Sequence, residues 1–338
     1  MTEHPGLTAD ALRELLSRND VDIAGDLRIE LISGGRSNLT FDVRDDAHHW
    51  VARRPPMGGL TPSAHDMERE WAVTSALAGT AVPVAGTVAI DRSGDVIGAP
   101  CTVVDFVEGP VVRSVDDLAA LTDEQVTSGA HALVQALADL HAVDYQAVGL
   151  GDFGRPEGFA ARQVRLWARQ WSIVKDRELP DLDKLVGILT DRVPESAGAA
   201  IVHGDLRIDN AILKPDDPGA VAAVVDWELS ALGDPITDIA LMCVYREPVF
   251  STVLGFDAAW TSDRYPSADE LAQRYAEASG TDLGDWEFYM GLAYLKLGVI
   301  AAGISHRARE GGESGGSGAE LAGEATATFI SRGLEAVS

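Results

Sequence analysis

The chain changes texture at Gly109, and that change constrains its fold more than any other feature of the sequence. Before it lie five strand-like runs: Leu27–Ile32, Leu39–Arg44, Trp50–Arg53, Val84–Asp91 and Pro100–Val107. A short amphipathic helix over residues 8–18 precedes them, and one helical pattern, roughly Ser63–Ala78, interrupts them. After Gly109 helical patterns dominate: Asp123–Ala142, Arg155–Arg177, Asp181–Arg192, Pro235–Val244, Ser267–Ser279 and Asp285–Arg309. The first of these opens on a capping box, Thr122 to Gln125, and continues with Val126, Ala130, Leu133, Leu137 and Leu140 at helical spacing. Strand-like pieces return only briefly, at Ala200–Val202, Ala211–Lys214 and Ala222–Val225. Gly311–Gly318 reads as a flexible loop by composition. Segregated strands and helices predict an α+β fold, with a small sheet-rich lobe over 1–108 and a larger helical one over 109–338.

Charge narrows the function classes. Of 338 residues, 53 are Asp or Glu and 27 are Lys or Arg, a net charge of −26. Such a surface repels phosphate backbones and anionic bilayers, so neither a nucleic acid nor a membrane is expected as a partner. With 46% hydrophobic residues and a mean hydropathy of +0.02, the chain is an ordinary globular protein. Met1–Asp10 has no signal-peptide character. The longest apolar run, Gly291–Ile304, is 14 residues, contains Lys296, and reads as too short to span a bilayer. Two cysteines, Cys101 and Cys243, build neither a disulfide framework nor a four-ligand zinc site. The expected location is the cytoplasm.

The chemistry is concentrated in Ile201-Val-His-Gly-Asp-Leu-Arg-Ile-Asp-Asn210 and, after a second apolar strand, Val224-Val-Asp-Trp-Glu228. Phosphoryl transfer from a nucleotide needs a carboxylate beside the attacking hydroxyl and hard oxygen ligands for magnesium. Asp205, Asn210 and Asp226 supply these groups in the order of a kinase catalytic loop and metal-binding aspartate. The bland alternative is a turn with a hydrogen-bonded aspartate. Asp234-Pro235 reads as a helix start, with Asp238 one turn on, where it could hold the catalytic loop.

His-Gly-Asp-x4-Asn, Val-Asp-Trp-Glu and Gly233-Asp-Pro-x2-Asp238 together resemble the aminoglycoside phosphotransferase family, which includes choline kinase relatives. The resemblance implies a bilobal protein-kinase-like fold with an antiparallel N-terminal sheet. It also implies ATP or GTP as donor, Mg2+ as cofactor, Asp205 as base, and Asn210 with Asp226 as metal ligands. His203 would brace the loop. Arg207, where protein kinases often carry lysine, either clamps the transferred phosphate or forms a salt bridge to a nearby carboxylate.

Only four lysines occur, Lys175, Lys184, Lys214 and Lys296, so no lysine is present to grip nucleotide phosphates from the N-terminal strands. Arg53, closing Trp50-Val-Ala-Arg53, is the candidate for that role, with Arg54 on the opposite face. Met67 and Trp71 define an inward stripe on the following helix, and Glu70 falls beside it whereas Glu68 does not, making Glu70 the expected partner. A surface ion pair is the plainer reading. Ser33-Gly-Gly-Arg-Ser-Asn-Leu-Thr40, including Ser37 and Asn38, either covers phosphates with backbone N–H groups or is a hairpin connection. Val103–Gly109 resembles the interlobe hinge whose backbone, at Asp105 and Val107, would bind adenine.

The resemblance implies a small-molecule hydroxyl as acceptor. Arg162, Arg165 and Arg169 share one helical face, opposite Val164, Trp167, Trp171 and Val174, and are either a solvated basic face or an anion-binding wall. Val51-Ala-Arg-Arg-Pro-Pro56, Gly34-Gly-Arg-Ser-Asn38 and the Arg162–Gln170 segment further resemble the kinase domains associated with acyl-CoA dehydrogenases. That likeness implies a hydroxyacyl-CoA acceptor. An aminoglycoside kinase and a non-catalytic, nucleotide-binding pseudokinase are the competing readings.

Overall fold

A computed structural model describes residues 6–34, 38–56, 67–196, 198–310 and 318–338. Ser37 therefore lies outside the described residues, as do 63–66 of the expected helix and 311–317 of the expected Gly-rich loop. Contacts divide the chain into two compact units, Met1–Glu108 with Ala223–Glu228, and Gly109–Ala222 with Leu229–Ser338.

The first unit begins with α1 (Ala9–Arg18), capped by the Thr8 hydroxyl. The strands β1 (Arg28–Gly34), β2 (Leu39–Arg44) and β3 (His49–Arg54) follow, then α2 (Met67–Leu77), β4 (Thr87–Asp91) and β5 (Cys101–Asp105). The sheet runs β1-β2-β3-β5-β4 with antiparallel pairs throughout. Alternation along β3 sets its chemistry. Trp50, Ala52 and Arg54 are buried, whereas His49, Val51 and Arg53 are only half-buried. Trp50 and Ala52 join Phe41, Val43, Cys101 and Val103 in a core that also takes Leu12, Leu15 and Leu16 of α1. Arg53, paired in register with Thr40 and Thr102, faces the other way.

The second unit contains α3 (Val115–Leu118), α4 (Asp123–Ala142), α5 (Phe159–Val174) and α6 (Pro180–Asp191). Next come β6 (Ala200–Val202), β7 (Ala211–Leu213), β8 (Val221–Val224, whose last two residues group with the first unit) and β9 (Ala231–Gly233). The helices α7 (Ile236–Val244), α8 (Val249–Leu254), α9 (Ala268–Ser279), α10 (Trp286–Arg309) and α11 (Gly318–Ala336) complete it. The capping box at Thr122 is present, its hydroxyl accepting from Gln125 N–H.

Two expectations are corrected here. The apolar run that looked too short to span a bilayer belongs to α10, which at 24 residues is long and apolar enough by length and composition. Yet 78% of its apolar window is buried inside the protein. Much of that cover comes from α11, a helix the sequence reading does not anticipate: Gly298 of α10 has Ile330 against it, and Gly333 of α11 has Leu185 and Tyr294. A β-carbon at Gly333 would come 3.2 Å from Tyr294 of α10 and one at Gly298 would come 3.0 Å from Ile330 of α11, so the two helices approach through glycines. The second unexpected element is β9, which pairs antiparallel with β6 and supports the loop that follows it.

Candidate active site

In the second unit, β6 is buried along its whole length and delivers His203 into a tight turn. Gly204 has φ +83°, and a β-carbon there would sit 2.7 Å from the Leu229 carbonyl oxygen, so this position requires glycine. Asp238, from the first turn of α7, accepts the His203 N–H at 2.6 Å and the Gly204 N–H at 2.8 Å. His141 Nε2 lies 3.4 Å from the same carboxylate. Burial would raise the pKa of Asp238, but the His141 hydrogen bond and the neighbouring imidazoles outweigh it and hold the carboxyl below its ordinary value. The α7 helix starts one residue later than expected, and the Asp234 carboxylate takes the Ile236 N–H at its mouth.

Asp205 is fixed from several directions. The His203 Nδ1 accepts its N–H at 3.2 Å. Asn210 Nδ2 donates to its carbonyl at 2.8 Å and to Oδ2 at 3.1 Å. Arg207 Nη1 donates to Oδ1 at 2.6 Å, and the Tyr245 hydroxyl donates to the same oxygen. Arg207 also pairs with Asp209 at 2.7 Å, and its guanidinium lies over the Tyr245 and Phe250 rings at 5.2 and 5.6 Å. Burial opposes the Arg207 charge, but Asp205 and Asp209 overcome it and raise its pKa further. Of the two roles weighed for Arg207, the salt bridge is the one it occupies. Burial and the Asp205 charge together push the Tyr245 hydroxyl well above its ordinary pKa, so it stays a proton donor to the carboxylate.

The first unit holds the other predicted residues. Arg53 Nη1 donates to Glu70 Oε2 at 2.7 Å, while Glu68 is an exposed partner of Arg92. Arg53 Nη2 is 3.9 Å from Asp226 Oδ1. Asp226 has φ +67°, a strained conformation for a residue with a side chain, and its Oδ1 is buried without a hydrogen-bond partner. Ligand atoms of Glu70, Asp226 and Glu228 lie within 4.8 Å of one another, a donor set suited to a hard divalent cation. Asn38 is buried with both side-chain polar atoms unpartnered. Asp105 ends β5 with an exposed side chain, and its N–H is taken by Gly86. The Phe106 N–H is taken by His49, whereas the Val107 N–H has no partner among the described residues.

The basic face of α5 is divided. Arg162 donates to the Glu157 and Arg155 carbonyls, while Arg165 and Arg169 are exposed. Sequence reasoning missed two groups at the Asp205 turn: Tyr245, and Lys296 of α10, whose Nζ donates to the Gly204 carbonyl at 2.7 Å. Lys296 is the one charged residue inside the apolar run of α10, which is the only trace it leaves in the sequence.

A model of the phosphotransferase enzyme family matches residues 28–292. The chain belongs to that family. Acyl-CoA dehydrogenase family member 10 of Mus musculus is 32% identical over 291 residues, covering 85% of this chain and 27% of the relative. Family member 11 of Gallus gallus is 32% identical over 320 residues, covering 92% of this chain and 40% of the relative. The chain thus spans about a quarter to two-fifths of these curated relatives, which carry a domain of this kind. A provisionally assigned aminoglycoside phosphotransferase of Ralstonia eutropha superposes with a TM-score of 0.83 at 30% identity, covering 98% of each chain. A spectinomycin phosphotransferase solved with ADP and spectinomycin superposes at 0.64 with 11% identity over 98% of this chain and 99% of its own, a likeness of fold alone. The phosphotransferase family fold is therefore α+β and kinase-like here, as the motifs imply.

Proposed function

We propose that this family member moves the γ-phosphoryl group of ATP, or GTP, to an alcohol hydroxyl of a small molecule. The observation that carries the reading is the Asp205 carboxylate, oriented by Arg207, Tyr245 and Asn210 at the end of a turn that only glycine permits. Asp205 would accept the hydroxyl proton as the hydroxyl oxygen bonds to the γ-phosphorus. The bond to the β–γ bridging oxygen breaks, and the nucleoside diphosphate leaves. Arg207 supports this by holding Asp205 rather than by gripping phosphate.

Asn210 and Asp226 would hold Mg2+, and the orphaned, buried Oδ1 of Asp226 fits such a ligand. Bound there, the ion would supply charge neutralisation on the phosphate oxygens. Arg53, steadied by Glu70, would engage the α/β-phosphates. Ser37 and Asn38 would cover them, and the backbone at Asp105 and Val107 would receive the base. In this reading residues 1–108 form the nucleotide lobe and 109–338 the catalytic and acceptor lobe. The setting is the cytoplasm, with neither nucleic acid nor membrane as partner. The acceptor would be a hydroxyacyl-CoA rather than an aminoglycoside, a reading supported by the likeness to acyl-CoA dehydrogenase family members.

Titration with ADP should show binding strengthened by magnesium, and a screen of hydroxyl acceptors should yield a phosphorylated product. Asp205→Asn should lower turnover by about 10^3-fold while nucleotide binding persists. Nucleotide binding indifferent to magnesium, with no product from any acceptor, would mean a pseudokinase instead.

A further inference from the structure

Lys296 is a charged side chain where the surrounding sequence calls for an apolar one. It sits in a stretch of α10 in which Leu292, Ala293, Leu295, Leu297 and Val299 are all buried, on a helix that packs against α5, α7 and α11. Among the described residues its ammonium forms no salt bridge. Its one hydrogen bond runs to the Gly204 carbonyl at 2.7 Å, with the Trp167 ring 5.8 Å from Nζ. Burial lowers its pKa, although Asp205 and Asp238 are near enough to favour the charge. Desolvating an ammonium for a single neutral acceptor is costly, and a leucine or methionine would fill such a position without that cost. What the charge gains is a hold on one carbonyl.

That carbonyl belongs to the peptide group between Gly204 and Asp205. The other end of the group, the Asp205 N–H, is taken by His203 Nδ1 at 3.2 Å. Gly204, at φ +83°, has no β-carbon to restrict rotation of the peptide group that follows it, so the orientation of that group depends on its hydrogen bonds. His203 and Arg207 belong to the same loop as Asp205 and would move with it. Lys296 reaches the carbonyl from a buried helix 92 residues away and ties the peptide group to the helical frame. We propose that Lys296 is a positioning residue for phosphoryl transfer: by holding the Gly204 carbonyl it sets the direction in which the Asp205 carboxylate meets the acceptor hydroxyl. The inference rests on the reading of Asp205 as the base. In this role Lys296 touches neither substrate, so its loss should be felt in kcat and in neither KM.

Six Gly-Asp pairs occur in the chain, so protein labelled with 13C at glycine carbonyls and 15N at aspartate gives six linked carbonyl signals. Asp205→Asn removes, and so assigns, that of Gly204. Lys296→Met, a replacement that a buried helix tolerates, should move the Gly204 signal upfield, as loss of a hydrogen bond does. The signals of Gly25, Gly94 and Gly284 should stay in place. In turnover assays the same variant should lose kcat about tenfold or more with both KM values unchanged. Lys296→Arg, which keeps a charged donor, should recover most of the kcat. An unmoved Gly204 signal overturns the proposal, as does a moved signal with intact kcat, an equal loss in the arginine variant, or a loss carried by KM. Failure of the wild type to phosphorylate any acceptor would instead sink the phosphotransferase reading, while the Gly204 signal still decides whether Lys296 holds the turn.

Discussion

The two units treat their polar groups in opposite ways. Around Asp205 in the second unit the groups hold one another: Asp238 takes two consecutive N–H groups, Arg207, Tyr245 and Asn210 share the Asp205 carboxylate, and Arg207 Nε, which makes no hydrogen bond, is ion-paired with Asp209. In the first unit Asp226 Oδ1 and both side-chain polar atoms of Asn38 are buried without a hydrogen-bond partner. Satisfied networks rigidify and preorganise, whereas buried orphans are costly and point to a missing partner. On the proposed function the first arrangement suits a group that must be aimed before the reaction. The second suits a surface that a nucleotide and its metal complete. Substitutions in the second unit should therefore appear in stability and kcat, and those in the first unit in nucleotide affinity.

The largest effect should come from Asp238→Asn. The amide can accept at one oxygen but presents N–H where the second backbone donor points, leaving a buried N–H unsatisfied. The expected loss is on the order of 3 kcal/mol in urea unfolding at neutral pH. The pH dependence follows from the depressed pKa. The stabilisation by Asp238 is complete at neutral pH and declines as the pH falls below the ordinary aspartate value of 3.8 towards the lower folded value. The gap between wild type and variant should then narrow at pH 3.5. A gap that is constant with pH would show that the carboxylate charge does not secure this turn.

How much of this could be read from the sequence depended on range. Arg53 and Glu70 could be chosen because each choice is local: alternation along β3 places Arg53 opposite Arg54, and the turn of α2 separates Glu70 from Glu68. The order of Asp205, Asn210 and Asp226 is likewise local to two short strands and their loops. Tyr245 and Lys296 reach the same turn from 40 and 92 residues away, and no periodicity marks either. Lys296 in sequence only argues against a membrane span. Its meaning depends on α10 being buried, and that depends on α11, whose glycine- and alanine-rich stripe resembles no ordinary apolar face. The missing partner of Asp226 is a fact of three dimensions alone.

A smaller effect is expected at Arg53. Its side chain is 22% exposed and its partner Glu70 only 8%, so the pair is largely sheltered from solvent. Arg53→Ala should raise the nucleotide KM about tenfold and leave the acceptor KM unchanged, as steady-state kinetics with each substrate varied would record. Arg53→Lys should recover part of the loss, since lysine restores the charge but not the fork of donors. An acceptor KM that shifts as much as the nucleotide KM would break the division of labour between the units.

The smallest effect sharpens the comparison most, because it separates aiming from holding. Tyr245→Phe removes one donor from Asp205 Oδ1 while Arg207 keeps its own at 2.6 Å, and the ring that stacks on Arg207 is retained. One hydrogen bond to a carboxylate is worth about 1.5–3 kcal/mol, and the surviving Arg207 contact should reduce the visible loss to about 1 kcal/mol. We expect kcat to fall about fivefold to tenfold with both KM values unchanged. A lowered melting temperature with intact kcat would mean that Tyr245 only packs the loop. A loss confined to kcat would mean that the second unit spends this hydroxyl on the direction of one carboxylate oxygen, a group that no first-unit substitution should affect.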